Sequence, residues 1–377
     1  MKNYKICTRC VMDTTDAIIK FNDQGICDHC LTFDEHIKPT WNFGLGRASQ
    51  LQKLVNDIKN SSKDEDFDCI LGISGGVDSS YLAYYAKEIL GLNPLIYHVD
   101  AGWNSELAVS NIDKIISGLD LELYTEVINW KEMQDLQLSY FKSGVPCLDT
   151  PQDHVFFASM YNFAKKNNIK YILNGGNYST ECIREPLEWH YHASDLKQLR
   201  SIHKIFGTVE LNTIPMSDIF KYKIYYKYFK KMKVIQPLNY INYEKKKAIK
   251  LLQDKFNWTK YKYKHYESRF TRFYEGYWLL EKFGYDKRKA HLSSLILTNQ
   301  MTRDEAIEEL KIKPYTEEEK IDDFNYISKK LGISVDNLHE LFNSKNKSFR
   351  DYRSNYHIIQ FFVMVSRILK IERRLIH

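Results

Sequence analysis

Between a short apolar run and a helical pattern stands a turn of small residues, Ser74-Gly75-Gly76-Val77-Asp78-Ser79. Glycines let a backbone approach a phosphate closely. The N–H groups and positive dipole end of the following helix hold its charge, and Ser74, Ser79 and Ser80 add hydroxyl donors. The chemistry implied is ATP bound by its phosphates. Asp78 would repel phosphate as a bare carboxylate, so its expected task is to position magnesium or orient the loop. Two other loops share this geometry. A Walker loop needs Gly-Lys before Ser or Thr, and no Lys stands here. Gly72-x-Ser74-x-Gly76 formally fits the nucleophile elbow of serine hydrolases, but no later Asp and His stand in a recognisable setting. The ordered string is far more selective than the elbow pattern.

A second constellation is Cys7-x2-Cys10, sixteen residues, then Cys27-x2-Cys30. Two such knuckles fit a tetrahedral zinc ion held by four thiolates, a closed structural site. A unit of about 45 residues builds little core, so the metal would supply about 10–16 kcal/mol of folding energy. An iron–sulfur cluster or four unrelated buried thiols are the alternatives. His29, inside the second knuckle, reads as a bystander.

Other candidates are less specific. Cys69 falls in an apolar run and reads as a small core residue. Cys147 and Cys182 lie toward the expected ligand edge, where a catalytic thiol pair or plain packing are both open. His190 and His192 are spaced for one face of a strand, yet their segment reads as helix or loop; a surface or substrate-lining role is expected over a metal site. Residues 221–264 hold fourteen Lys and eight Tyr against Glu244 and Asp254. That stripe suits RNA stacking, a face for a nucleotide- or lipid-linked sugar near a membrane, or helices with buried tyrosine bodies and solvated lysines.

The elements that must position these residues follow from periodicity. Apolar runs at 67–73, 94–99, 121–127 and 171–173 read as strands, alternating with helices at 79–90, 106–117 and 153–168. A further polar helix is expected at 47–60. This alternation predicts an α/β fold with a doubly wound parallel sheet, whose ligands lie at the carboxyl ends of the strands near 74–80, 100–104 and 174–178. The expected organisation is a zinc-ribbon-like unit over 1–45, closed by Pro39 and the Gly44/Gly46 pair, a nucleotide-binding domain over 46–215, and a mainly helical basic and aromatic region over 216–377. The tail from Pro314 has helical spacing and no chemical motif.

The chain of 377 residues can bury a sizeable core, and its 27 Tyr and 20 Phe are unusually many. Lys and Arg exceed Asp and Glu by six, 54 against 48. That surplus favours anionic ligands without demanding nucleic acid, which is not an expected partner. No stretch approaches ~18 uninterrupted apolar residues, so no membrane span is expected. The start has no apolar signal-peptide core. A cytoplasmic protein with reduced cysteines is the expectation.

The Ser74–Ser79 string resembles the PP-loop of ATP pyrophosphatases, a Rossmann-like group. The knuckles narrow the field, as do Val99–Glu106, Gly144–Pro151, Asn174-Gly175-Gly176-Asn177-Tyr178, Glu181–His190 and Tyr266–Gly276. Together these are similar to the N-acetyl sugar amidotransferase family of surface-polysaccharide biosynthesis, over about residues 4–312. The resemblance implies ATP-dependent conversion of an acetamido into an acetamidino group, on a nucleotide- or lipid-linked sugar of O-antigen or flagellar glycan. It implies ammonia delivered by a separate glutaminase like that of imidazole glycerol phosphate synthase, with that enzyme's barrel-shaped cyclase as a further companion. A glutaminase of its own is not expected, because Lys2 follows Met1 and no cysteine sits in a nucleophile elbow.

In this reading Ser74, Gly75, Gly76, Asp78, Ser79 and Ser80 hold the phosphates, and Asp100, Gly175 and Gly176 lie where the nucleoside sits. Arg184 faces phosphate charge, and Glu181 or Asp149 takes a polar role beside the substrate. ATP, magnesium and a structural zinc are the expected cofactors. The alternative is a PP-loop enzyme that thiolates or modifies tRNA, with Cys147 and Cys182 handling sulfur. A non-enzymatic nucleotide-binding scaffold is a third reading.

Overall fold

The computed structural model describes residues 3–41, 45–262 and 266–370; Gly44 and the end of the 221–264 stripe lie outside them. Among the described residues, β1 (Cys69–Gly72), β2 (Pro94–Asp100), β3 (Leu123–Val127), β4 (Tyr171–Leu173) and β5 (Lys233–Ile235) form one sheet. Its order is β3-β2-β1-β4-β5, and all neighbours run parallel.

Side-chain alternation sends the central strands into two cores. Cys69, Leu71 and Ile73 pack with Ile96, Tyr171 and Leu173 under the helices Leu45–Ser61, Val77–Tyr84, Glu106–Leu119 and Lys245–Phe256. Ile70 and Ile172 point the other way, to Tyr97, Met160, Ala164, Tyr226 and Met232. Strand order reverses between β1 and β4, so their carboxyl ends diverge there and leave a crevice.

The helix that opens this crevice starts at Val77, and after Tyr84 it widens into π-type turns over Tyr85–Ile89. Two elements escaped periodicity. Helix Trp130–Ser143 buries polar Glu132, Asp135 and Gln137 beside its apolar residues, which blurs its stripe. β5 has three residues and is largely exposed, and it lies within the segment read as mainly helical.

The tail is part of the core. Phe324, Ile327 and Leu331 of helix Glu317–Leu331, with Leu338 and Tyr352, pack against Trp103, Phe270, Phe273 and Trp278. Asp323, fully buried, accepts from Arg269 Nε at 2.6 Å and Arg272 Nε at 3.0 Å. The N-terminal unit also shares a core with the body, through Cys182, Ile183, Trp189, Ala290 and Leu297.

Candidate functional site

β1 ends at Gly72, and the chain turns through Ser74–Gly76 into helix Val77–Tyr84 with Gly76 at its N-cap. Gly75 has φ +81°, and a Cβ on it would stand 2.8 Å from the Ala108 carbonyl oxygen. Only glycine fits without strain. Its own carbonyl accepts from Trp258 Nε1 at 3.1 Å and the Tyr261 hydroxyl at 3.2 Å, which pins the turn from behind. The Ser74 and Ser79 hydroxyls are 3.3 Å apart, and the Gly76 N–H donates to Ser74 Oγ at 3.3 Å. Asp78, in the first helical turn, accepts from the Tyr243 hydroxyl at 2.5 Å.

Across the crevice β4 runs into Asn174-Gly175-Gly176. A Cβ on Gly175 would lie 3.1 Å from the backbone of Asp78 and Ser79, so glycine lets the two loops touch. Asn174 Oδ1 accepts from the Gly176 N–H at 2.6 Å and holds that turn. The short helix Tyr178–Glu181 follows, capped by Asn177, whose side chain accepts from Thr180 N–H.

Between the loops lies a cavity of about 1100 Å³. Ser74, Gly76, Asp78, Ser79, Asp149, Gly175, Gly176, Glu181 and Arg184 all line it. Three of the expected residues are placed otherwise. Gly75 is buried behind the turn and shapes it. Ser80 is fully buried one turn further along the helix, with its hydroxyl inside the fold. Asp100 ends β2, but its carboxylate folds back to accept from the Gly102 N–H at 2.8 Å, leaving Val99 and Ala101 on the cavity wall.

Charge of both signs lines the cavity. Lys245, Lys246, Lys260 and Lys262 line the cavity from the basic stripe, and Asp149, Asp153, Glu185 and Glu275 from other elements. Lys287 pairs with Glu275 at 2.7 Å and Glu185 at 3.0 Å. Burial works against its charge, but these carboxylates outweigh it and hold its pKa well above the ordinary value. His192 faces the cavity, and burial, then Arg184, pushes its pKa down to about 3. Burial and the Asp78 carboxylate push the Tyr243 phenol well above its usual range. Tyr243 and Lys287 were not singled out from the sequence, and Glu267, which lines the cavity, was read only as part of the Tyr266–Gly276 string. For the lysine wall the signal was the stripe; Lys287 has no spacing that marks it.

Cys147 and Cys182 are buried and neither lines the cavity. Cys147 sulfur accepts from the Tyr191 N–H at 2.9 Å, and burial pushes its thiol up to about 12. Both are packing residues in this arrangement.

The four N-terminal cysteines converge. Their sulfurs are buried and all within 4.8 Å of one another. Cys7–Cys30 is 3.9 Å, and Cys10–Cys27 and Cys27–Cys30 are 3.6 Å. A tetrahedral zinc with bonds of about 2.3 Å needs sulfurs about 3.8 Å apart, so the set fits one ion. A four-iron cluster gives each cysteine its own iron and needs them further apart. N–H groups of Arg9, Met12 and Cys27 point at these sulfurs, at 3.2–3.4 Å, as expected for thiolates. His29 stays out of the set and meets Asp16 at 2.9 Å. Arg303 donates to the Cys7 and Cys10 carbonyls at 2.9 and 3.1 Å and ties the knuckle to helix Arg303–Lys311.

Residues 267–366 match the family model described as LPS biosynthesis protein WbpG-like, C-terminal domain. Residues 267–366 therefore resemble a WbpG-like C-terminal domain, and the tail from 314 to 366, unmatched by the resemblance, lies within that match. A curated relative, tRNA-specific 2-thiouridylase MnmA 2 from Fusobacterium nucleatum subsp. nucleatum, is 30% identical over 123 residues. The match spans 30% of this chain and only 34% of that protein's length. Among solved structures, the NH3-dependent NAD synthetase of Campylobacter jejuni subsp. jejuni has 15% identity and TM-score 0.29, covering 42% of this chain and 72% of the other. The U34-tRNA thiolase NcsA of Methanococcus maripaludis has 14% identity and TM-score 0.32, covering 70% and 76%.

Proposed function

We propose that this chain is the synthase subunit of an ATP-dependent sugar amidotransferase. It would convert an acetamido group of a nucleotide- or lipid-linked N-acetyl sugar into an acetamidino group for a surface polysaccharide. The observation that carries the reading is the Ser74–Ser79 loop opening into a cavity of about 1100 Å³, room enough for ATP and a second substrate. The WbpG-like domain supports polysaccharide biosynthesis as the setting.

The chemistry answers a specific difficulty. An amide carbon is a weak electrophile, and its oxygen is a poor leaving group. The amide oxygen attacks the α-phosphorus of ATP, and pyrophosphate departs into the glycine turn. Ammonia then adds to the carbon of the O-adenylyl imidate, the C–O bond breaks, AMP leaves and a proton is lost to give the amidine. Gly76 and the Ser74 and Ser79 hydroxyls would hold the pyrophosphate, with Arg184 adding charge. Asp78, held by Tyr243, would bind magnesium, which neutralises the phosphates. Asp149 and Glu181 would orient the sugar.

Thiolation of tRNA is the second reading, favoured by the 2-thiouridylase match. Against it, neither Cys147 nor Cys182 reaches the cavity. Ammonia would come from a partner glutaminase, with a cyclase-like barrel as a further companion. The test is pyrophosphate release by the purified chain with a nucleotide-linked N-acetyl sugar, supplied with ammonium salts or with glutamine. Release with ammonium alone, rising toward alkaline pH as more ammonia is unprotonated, is expected. Release that needs a sulfur donor and ignores ammonium would overturn the reading.

A further inference from the structure

The C-terminal helix Tyr356–Ile368 turns its apolar face outward. Of its side chains only Ile359 is buried, while Phe361 is 57% exposed, Met364 52% and Ile368 72%. With Ile358 these fall three and four residues apart, on one helical face. The helix Lys221–Phe229 behaves alike. Phe220, Ile224 and Tyr228, four apart, are exposed, and Phe229 is 73% exposed. Phe220 and Phe362 meet edge to face at 6.4 Å, so the two outward stripes are neighbours.

Along these two stripes the sequence charge is basic, bordered by Asp218 and Asp351. From 219 to 243 the sequence holds Lys221, Lys223, Lys227, Lys230, Lys231 and Lys233 and no carboxylate. From 352 to 370 it holds Arg353, Arg367 and Lys370 and again none. Among the described residues, no ion pair involves Lys221, Lys227, Lys230, Lys231, Lys233 or Arg367. Exposed aromatic and aliphatic stripes flanked by these six cations suit an interface where acyl chains meet anionic headgroups. A second copy of this face would bring like charges together. No helix among the described residues is long and apolar enough to cross a membrane.

We infer that this patch seats the protein on an anionic lipid bilayer, with both helices lying in the headgroup layer. The inference does not rest on the proposed reaction. It has a consequence for the cavity, because Ile219, Tyr222 and Lys223 of the same segment form part of its wall. A seated molecule would hold that wall beside the membrane.

The test is flotation of the full chain with vesicles of phosphatidylcholine alone, or with about one-third phosphatidylglycerol. Binding to the anionic vesicles only, weakening as salt rises, is expected. A double substitution, Phe361→Ser with Ile368→Ser, and a second, Lys227→Glu with Lys230→Glu, should each weaken it by roughly tenfold or more. These side chains are exposed, and an unchanged thermal midpoint checks that each variant folds. Phe361→Trp gives an independent readout, a blue-shifted emission on adding anionic vesicles. No flotation, or flotation untouched by both doubles, would overturn the inference. So would a dimer in solution that the Phe361/Ile368 double dissolves, or binding of RNA in place of vesicles.

Discussion

The Tyr243 hydroxyl donates to Asp78 Oδ1 at 2.5 Å, joining the loop helix to a residue just ahead of helix Lys245–Phe256. The same phenol feels the charge of Glu181 from the β4 side. Tyr243 therefore sits where three segments meet behind the expected phosphate site. Tyr243→Phe should leave ATP binding nearly intact and slow pyrophosphate release by roughly tenfold or more, the worth of a hydrogen bond to a charged group. Calorimetric ATP binding beside a pyrophosphate assay checks it; equal rates in both proteins would show that Asp78 needs no such restraint.

Gly75 gives a sharper test of the loop itself. Alanine there would carry positive φ and press on the Ala108 carbonyl. Gly75→Ala should cost about 1–3 kcal/mol in stability and weaken ATP binding by a comparable factor, because the N–H groups shift out of line. Thermal melts and binding titrations read both effects. Undiminished affinity in a destabilised variant would place the nucleotide elsewhere.

One zinc ion per chain is expected from the sulfur geometry. Cys27→Ser should lose the metal and loosen residues 3–41. Arg303→Ala should keep the metal yet lower the thermal midpoint, since it removes only the tie to the Cys7 and Cys10 carbonyls. Elemental analysis with melting curves separates the two; iron with visible absorption would contradict the zinc assignment.

His192 predicts a pH dependence. Its folded pKa is about 3 against an ordinary 6.5. Above 6.5 it is neutral in both states and contributes nothing. As pH falls from 6.5 toward 3 the unfolded chain takes up a proton that the folded site refuses, so stability declines. The decline is at most about 1.4 kcal/mol per pH unit. His192→Gln should flatten it in denaturant titrations over that window; identical slopes would mean that another group sets it.

The parts of the fold legible in the sequence were those written by local chemistry. The strand β1 followed by glycines announced the loop, and paired knuckles announced the cysteine cluster. The strand pattern up to β4 gave the doubly wound sheet. Contacts made across long stretches of chain carried no such mark, even where the string itself, as with Tyr266–Gly276, was noticed. Glu267 stands 3.3 Å from Ser74 Oγ across 193 residues, and Lys287 meets Glu185 only after folding. Asp100 and Ser80 occupied expected positions, yet side-chain direction, which sequence position does not fix, turned them away from the cavity. In the tail, Phe324 and Ile327 fill the core, a task that helical spacing serves without any chemical motif.

The proposed reaction replaces an amide oxygen with nitrogen at the expense of ATP. Mass spectrometry of a nucleotide-linked sugar bearing two acetamido groups, incubated with the purified chain, ATP, magnesium and ammonium, reads that exchange directly. A product lighter by the difference between an oxygen atom and an NH group, formed in step with AMP, is expected, and ammonium labelled with heavy nitrogen should raise that product's mass again, almost back to the substrate's. AMP and pyrophosphate formed with no change in the sugar's mass, across a panel of such sugars, would contradict it.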